Sequence, residues 1–360
     1  MQELTSIERI DNILHRKPVD RIGVFEHFWG DTFKEWQATN QIQPNIDTGN
    51  LFGFDIAMGG GFNMAINMNY YEKIDETEDT VTAKNGNYAI MKNHKKHDST
   101  PEHIGFTITD KASWEEYAKP FLKADRSRIN FEGYKYMKNY AQKNNVFFMA
   151  TGAHIFEIMK DVTGHENMLV GMILEPDWIL DMAKTYSQML TDMQEMLFDE
   201  CGWPDGMFYY EDMGFKERPF CSPEYYKTFL QPGHKQTIDH IKSHNKPFTM
   251  HSCGFVEPLL PGMLEAGIDC LQVIEVKAGM DPVRIFKNYG DRLSLMGGID
   301  VRTLYSNDKK IIDAELESKI PIIMKNNGYI LHSDHSIPPT VTCENFQYYL
   351  KKGVELGTYR

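Results

Sequence analysis

Residues 246–275 read KPFTMHSCGFVEPLLPGMLEAGIDCLQVIE, and this stretch decides the fold. The runs 246–251 and 268–275 have the length and apolar character of buried strands. The segment between them has helical spacing and ends at Gly267, because glycine readily adopts the left-handed conformation that closes a helix. A helix that joins two short apolar strands is typical of a parallel βαβ unit.

The same alternation of short apolar runs and longer helical segments continues from about residue 146 to the end. Residues 176–200, for example, carry one continuous apolar stripe at helical spacing. We therefore predict an α/β protein with a (β/α)8 TIM barrel, an N-terminal helical segment and an insertion. An open doubly wound sheet is the alternative, but no G-x-G-x-x-G follows a first strand.

We interpret residues 1–360 as a single TIM-barrel domain in which residues 38–130 form an irregular excursion or cap. The excursion lacks regular periodicity, and the NGN at 85–87 predicts a hairpin turn within it. The apolar stretch 61–71, GFNMAINMNYY, has two interpretations: a lid or wall of the substrate site, or packing for the excursion itself.

The composition excludes several classes of function. The chain has 51 acidic and 38 basic residues and a net charge of −13, which disfavours a broad nucleic-acid surface. No run approaches the 18 or so apolar residues of a membrane span, and the acidic, amphipathic start does not fit a signal peptide. Five scattered cysteines suggest reduced thiols, so we expect a cytoplasmic protein.

In a parallel barrel the carboxyl ends of the strands meet at one face, and chemistry occurs there. Polar residues follow nearly every predicted strand of this chain. They are Glu26 and His27, with Trp29 beyond them, then Thr151, His154, Glu211, Asp212, His251, Cys253, Gln272, Glu275, Asp300, His332, Asp334 and His335.

His251 and Cys253 are the candidate metal ligands of this set. They lie two residues apart at one strand end, so their side chains can point the same way, and zinc takes nitrogen and sulfur ligands. A third ligand must come from another strand, and we choose His335. The alternatives are the rivals Asp334, Glu211 and Cys343. By itself an H-x-C pair is more often packing and a turn, since free cysteine is commonly buried.

Four blocks of the chain resemble the uroporphyrinogen decarboxylase superfamily, and together they cover nearly its whole length. They are ERIDNILHRKPVDRIGV (8–24), the segment from EDMGF to HSCG (211–254), GGID (297–300) and GYILHSDHSIPPTVTCENFQYYL (328–350). The resemblance implies a (β/α)8 barrel.

Within that superfamily the H-x-C-G motif resembles the corrinoid-dependent methyltransferases. The resemblance implies a catalytic zinc held by His251 and Cys253, with a further cysteine after the last strand; that position falls near His335, where this chain departs from the pattern. The decarboxylases carry an arginine-rich motif for porphyrinogen carboxylates, whereas residues 26–33 here read EHFWGDTF. Porphyrinogen chemistry is therefore disfavoured.

The implied activity moves a methyl group between a small methylated donor and the cobalt of a corrinoid (cobalamin). This chain lacks the D-x-H-x-x-G motif of corrinoid-carrying domains, so a separate corrinoid protein should dock over the barrel mouth. Phe25, Phe28 and Trp29 near that mouth favour an aryl methyl ether as donor, as in an O-demethylase system. Methanol, methylated thiols and amines, and the reverse direction of transfer, remain open.

We assign provisional roles to the other strand-end residues. Asp212 and Glu211 would orient a ligand histidine or act as general acid. Glu26, His27, Trp29 and Asp334 would line the substrate pocket. Two other functions stay open: a metal-free decarboxylase, and a non-catalytic accessory protein that binds a corrinoid protein.

Overall fold

The computed structural model describes residues 3–96 and 99–359. The strands are β1 (Gly23–Val24), β2 (Ile56–Gly59), β3 (Glu72–Glu76), β4 (Thr80–Lys84), β5 (Ile90–His94), β6 (Glu102–Gly105), β7 (Phe147–Ala153), β8 (Gly206–Tyr210), β9 (Gly214–Phe215), β10 (Arg218–Pro219), β11 (Phe248–Ser252), β12 (Cys270–Val273), β13 (Ser294–Gly297) and β14 (Tyr329–Leu331). The helices are α1 (Ser6–Leu14), α2 (Gly30–Ala38), α3 (Thr48–Phe52), α4 (Lys111–Tyr117), α5 (Phe131–Asn144), α6 (Ile155–Leu174), α7 (Pro176–Cys201), α8 (Pro223–Tyr225), α9 (Gln231–Ser243), α10 (Leu260–Ala266), α11 (Pro282–Tyr289), α12 (Val301–Tyr305), α13 (Lys309–Ile323) and α14 (Cys343–Leu356).

Eight of these strands form one parallel sheet in the order β1-β14-β13-β12-β11-β8-β7-β2. The two end strands meet where the Asp55 backbone N–H donates to the Val24 carbonyl and the Val24 N–H donates to the Asp55 carboxylate, both at 2.9 Å. The sheet is therefore nearly closed into a barrel. The predicted (β/α)8 fold is confirmed, and the open-sheet alternative is excluded.

Local sequence signals account for several element boundaries. Thr5 and Glu8 form the capping box that begins α1. Residues 246–275 form β11, α10 and β12, and Gly267 ends α10 in the left-handed conformation, as its position predicts. The apolar stripe of residues 176–200 corresponds to α7, which is buried along that stripe.

Part of the predicted excursion, residues 38–130, belongs to the barrel itself. Strand β2 lies within this range and pairs with β7. β2 has only four residues and is followed by a run of glycines, so the sequence alone does not identify it as a barrel strand. Outside the barrel, β3 to β6 form an antiparallel sheet, and the turn at 85–87 joins β4 to β5.

Helix α1 covers the amino end of the barrel. Ile10 and Ile13 are fully buried there, and a Cβ at Gly23 would lie 2.6 Å from Ile10 Cδ1, so a larger residue would force Ile10 to shift. The Ser294 hydroxyl at the start of β13 donates to the Ile13 carbonyl at 2.8 Å. This closed end leaves the carboxyl end of the strands as the open face. Among the described helices, none has the length and apolarity to cross a bilayer.

Candidate metal centre at the barrel mouth

Strand register brings three side chains of the mouth onto one face. His251 is in register with Tyr210 of β8 on one side and with Gln272 of β12 on the other. Residues in register on neighbouring parallel strands point to the same side of a sheet. His251, Tyr210 and Gln272 therefore share a face, and Cys253 follows two residues beyond His251.

Asp212, His251 and Cys253 place one ligand atom each within 4.8 Å of the others. His251 Nε2 lies 3.4 Å from Cys253 Sγ and 3.2 Å from Asp212 Oδ1. The Cys253 backbone N–H donates to the same carboxylate oxygen at 2.8 Å. Asp212 follows β8, so the three side chains converge from two adjacent strand ends.

The surroundings of this group favour ionisation of Asp212 but oppose ionisation of Cys253. Burial opposes ionisation of Asp212, but the hydrogen bonds from His251 and the Cys253 N–H lower its pKa far below the ordinary value. Burial raises the pKa of Cys253. Burial also acts to lower the pKa of His251, yet Cys253 and Asp212 outweigh it and raise that pKa. Imidazole nitrogen, sulfur and carboxylate oxygen are the ligands that zinc takes in proteins, so the residues fit zinc.

A cavity of about 450 Å³ opens beside the sulfur-bearing residue. Cys253 and Gly254 line it, together with Glu275 and Lys277 from the loop after β12 and Arg302 from α12. Residue 253 thus borders open space. A substrate in this cavity would lie next to the Asp212, His251 and Cys253 group.

His335, predicted as the third ligand, lies elsewhere in the mouth. Its ring stacks on Trp29 with 5.6 Å between centroids. Within the described part of the chain, the ligand group around Cys253 contains Asp212 in the place predicted for His335. Of the rival ligands, Cys343 is buried at the start of α14 and is not brought to this group.

Glu211 is directed away from this group, although it is adjacent to Asp212 in the chain. Its carboxylate accepts the backbone N–H groups of Phe156 and Glu157 at 2.8 and 3.0 Å, at the start of α6, and pairs with His234 at 2.5 Å. His154 completes a second group of potential ligands. The rings of His154 and His234 stack, with 4.5 Å between centroids and an interplanar angle of 12°. Their nitrogen lone pairs therefore lie in nearly parallel planes and do not converge on one point. Because Glu211 accepts the first N–H groups of α6, its role in this structure is to cap that helix.

Asp334, predicted to contact substrate, is fully buried and already bonded. Its two carboxylate oxygens accept the backbone N–H groups of Val276 and Val301, at 2.9 and 2.8 Å. Burial raises the pKa of Asp334 to about 6. The side chain thus ties together the loops that follow three barrel strands.

Glu26 and His27 lie in a buried chain of hydrogen bonds. His27 Nδ1 is 2.8 Å from His332 Nε2, and the Tyr210 hydroxyl is 3.3 Å from His27 Nε2. Glu26 Oε1 lies 3.1 Å from His332 Nε2 and accepts the Ser333 hydroxyl at the same distance. Burial lowers the pKa of His27 to about 3 and raises the pKa of Glu26 well above its ordinary value. This inner wall of the mouth is therefore neutral.

Comparison with known proteins identifies the family. The sequence profile described as Uroporphyrinogen decarboxylase (URO-D) matches residues 156–353, which is more than half of the chain. This chain belongs to the uroporphyrinogen decarboxylase family. Comparison with curated proteins gave no match.

The solved structures similar to this uroporphyrinogen decarboxylase family member include a methyltransferase from Methanosarcina mazei. The two share 15% sequence identity over 98% of this chain and 99% of that one, with a TM-score of 0.66, so they share the fold. A D-psicose 3-epimerase from Clostridium cellulolyticum H10 is less similar, with 8% identity over 63% of this chain and 82% of that one and a TM-score of 0.35.

The aromatic residues expected at the mouth of this family member divide between two places. Phe25 contacts His27 edge-on at 5.1 Å between centroids, and Trp29 stacks on His335. Phe28 instead packs into the core against Phe33 and other rings. Phe25 also contacts the core ring of Phe54, with 5.5 Å between centroids, so it lies between the core and the mouth.

A larger cavity, of about 650 Å³, is lined by residues 60–65 together with Arg128 and Asp161. Half of the predicted stretch 61–71 thus borders open space and does not only pack the excursion. The stretch stays a candidate wall for a bound molecule.

Sequence reasoning assigned no role to three residues that the site contains: Gln272, His332 and Tyr210. Gln272 contacts His251 and is 1% exposed. One signal could have identified it, because a glutamine inside the apolar strand CLQV is costly to bury without partners. Tyr210 had no comparable signal, since a tyrosine at a strand end is common.

Proposed function

We propose that this protein is a zinc-dependent methyltransferase. It would move a methyl group between a small methylated donor and the cobalt of a corrinoid carried by a separate protein. The observation that carries the proposal is the convergence of Asp212, His251 and Cys253 beside an open cavity. Family membership and the shared fold with a protein described as a methyltransferase agree with it.

Decarboxylation of a polycarboxylate receives less support from the same cavity. Such a substrate needs free cationic partners. Three cationic residues line the cavity. Arg302 is paired in a bidentate manner with Asp300, and Lys277 lies 3.3 Å from Glu275, so Lys216 is left as a single cation for several carboxylates. A methyl donor with little charge suits these walls better.

His251, Cys253 and Asp212 would hold the zinc, which supplies Lewis-acid stabilisation of an anionic leaving or attacking oxygen or sulfur. The chain's own residues prepare the place. The carboxylate and the thiolate counter the charge of the cation, and the imidazole adds a neutral ligand. Burial raises the pKa of Tyr210, so its hydroxyl keeps a proton at the inner wall of the mouth.

An aryl methyl ether is the donor that we favour. The stacked Trp29–His335 pair is partly exposed at the mouth, and aromatic donors stack on ring faces of this kind. Methanol, methylated thiols and methylated amines are the other donors to include in any assay.

The test measures zinc and methyl transfer on the purified full-length chain. We expect about one zinc per chain and a change in the visible spectrum of a cobalt(I) corrinoid when a donor from the panel is present. Cys253→Ala should lose the zinc and the transfer. Cys201→Ala is the matched control, because Cys201 is also a partly exposed free thiol but lies at the end of α7.

The outcomes separate the three functions. A wild-type chain without zinc overturns the proposal, and release of carbon dioxide from a tetrapyrrole or a smaller acid would favour the decarboxylase. Bound zinc without transfer from any donor, but with stable binding of a corrinoid protein, would favour an accessory role.

A further inference from the structure

The two ring nitrogens of His251 have different partners. Nε2 faces Cys253 and Asp212, at 3.4 and 3.2 Å, whereas Nδ1 contacts the Oε1 of Gln272. An amide oxygen accepts hydrogen bonds and never donates them, so Nδ1 must carry a proton. In the metal-free chain Nε2 also carries a proton, which it donates toward Asp212. Because Gln272 holds the proton on Nδ1, the proton that a metal would displace is the one on Nε2, and that nitrogen is directed at the ligand group.

This arrangement depends on the orientation of the Gln272 amide. If the amide were reversed, its NH2 group would face Nδ1 and would favour the opposite tautomer of His251. The partner of the Gln272 Nε2 group prevents the reversal. That group lies 3.3 Å from Nε2 of His332.

His332 can only accept at this nitrogen. Its Nδ1 lies 2.5 Å from the Ser333 carbonyl oxygen, which is an acceptor, so Nδ1 carries the proton and Nε2 carries the lone pair. His27 Nδ1 contacts the same lone pair at 2.8 Å and serves as a second donor. Gln272 must therefore present its NH2 group to His332 and its oxygen to His251.

Glu26 Oε1 also lies 3.1 Å from His332 Nε2, and burial raises the pKa of Glu26, so its carboxyl is a further donor to the same nitrogen. Burial isolates these contacts from solvent. Gln272 and His332 are each 1% exposed, so water does not compete for these groups. The order of the contacts is the Ser333 carbonyl, His332, Gln272 and His251. Each member fixes the orientation or tautomer of the next one.

We propose that Gln272 is a positioning residue that holds His251 in the tautomer with Nε2 free to bind a metal, and that His332 orients the Gln272 amide. This inference deepens the proposed function and rests on a metal at His251. Partners of this kind change metal affinity by about 10- to 100-fold when removed from other metal sites.

The test is a titration of the metal-free full chain with Zn²⁺ against a chromogenic chelator, and with Co²⁺ by visible spectroscopy. We expect Gln272→Leu to weaken Zn²⁺ binding by about 10- to 100-fold and to alter the Co²⁺ spectrum. Gln272→Glu keeps an acceptor at Nδ1 and should restore most of the affinity. His332→Phe should give a smaller loss, because the amide of Gln272 is then free to reverse.

Gln194→Leu is the matched control for the loss of a buried glutamine. Gln194 is 0% exposed and donates to the Tyr209 hydroxyl at 2.6 Å, away from the mouth. This variant should lower the melting temperature without changing Zn²⁺ affinity. Equal Zn²⁺ affinity and an unchanged Co²⁺ spectrum in Gln272→Leu would overturn the positioning role.

The measurements also separate this inference from the proposed function. If Zn²⁺ binding depends on Gln272 but no donor yields methyl transfer, the positioning role stands and the methyltransferase proposal fails. If transfer occurs and Gln272→Leu binds Zn²⁺ like the wild type, the positioning role alone fails.

Discussion

The two ends of the barrel solve the burial of polar groups in opposite ways. At the amino end, Asp55 is fully buried and accepts from Arg9 at 2.9 Å and from Arg21 at 2.7 Å. Arg9 also pairs with Asp20 at 2.6 Å. This ion cluster, made of Arg9, Asp20, Arg21 and Asp55, contains two positive and two negative side chains.

At the mouth, the buried groups are neutral or are gathered on one side of a cavity. Glu26, His27 and His332 form hydrogen bonds with one another, and in the described part of the chain no arginine or lysine pairs with them. Burial disfavours their charged forms. Beyond them, Cys253 borders the open cavity, and Asp212 lies next to Cys253. Removing one partner of a buried, matched cluster leaves an uncompensated charge, whereas ionisable groups with shifted pKa values at a cavity are candidates for a functional site.

The largest expected effect on stability comes from the ion cluster. Asp55→Asn should lower the free energy of unfolding by about 3–5 kcal/mol, because it leaves buried guanidinium groups without a full partner. Glu26→Gln at the mouth should cost less than about 1 kcal/mol, because an amide reproduces a protonated carboxyl. Urea unfolding of both variants checks this prediction, and similar losses would remove the contrast between the two ends.

Glu211 and Asp212, the adjacent carboxylates that follow β8, allow the same comparison at a single strand end. Asp212→Asn should weaken Zn²⁺ binding by roughly 10- to 100-fold, with little change in the stability of the metal-free chain. Glu211→Gln should lower stability by about 1–3 kcal/mol, because it weakens the cap of α6, and should leave the ligand group in place. Metal titration and thermal unfolding of both variants test this, and an exchange of the two phenotypes would contradict the assignment.

The smallest expected effect is the acid response of the ion cluster. Burial opposes ionisation of Asp20, but its hydrogen bonds with Arg9 lower its pKa to about 2 from an ordinary value of 3.8. A lowered carboxyl pKa stabilises the fold above the unfolded pKa, and that contribution is lost as the pH falls toward 2. The whole contribution is about 2 kcal/mol, of which about 1 kcal/mol is lost by pH 3.

Between pH 6 and pH 3, the free energy of unfolding should therefore depend less on pH in Asp20→Asn than in the wild type. A variant with the same pH dependence as the wild type would show that Asp20 does not contribute through its charge.

Sequence reasoning predicted the parts of this protein that follow from local chemistry. The period of apolar residues predicted most barrel strands and helices, and Gly267 predicted a helix end. The spacing of His251 and Cys253 predicted two candidate ligands that the structure brings together. The strand β2 was not predicted, because an alternating pattern over four residues cannot be distinguished from a loop.

The remaining features of the site depend on tertiary structure. Sequence determined which side chains end each strand, because alternation and turn residues are local properties. Only the barrel decided that Asp212 faces His251 while Glu211 turns to α6, that His335 stacks on Trp29, and that Gln272 meets His251. The physical reason is that strand pairing and register decide which residues are neighbours across the sheet. The local pattern of apolar residues carries no information about that register.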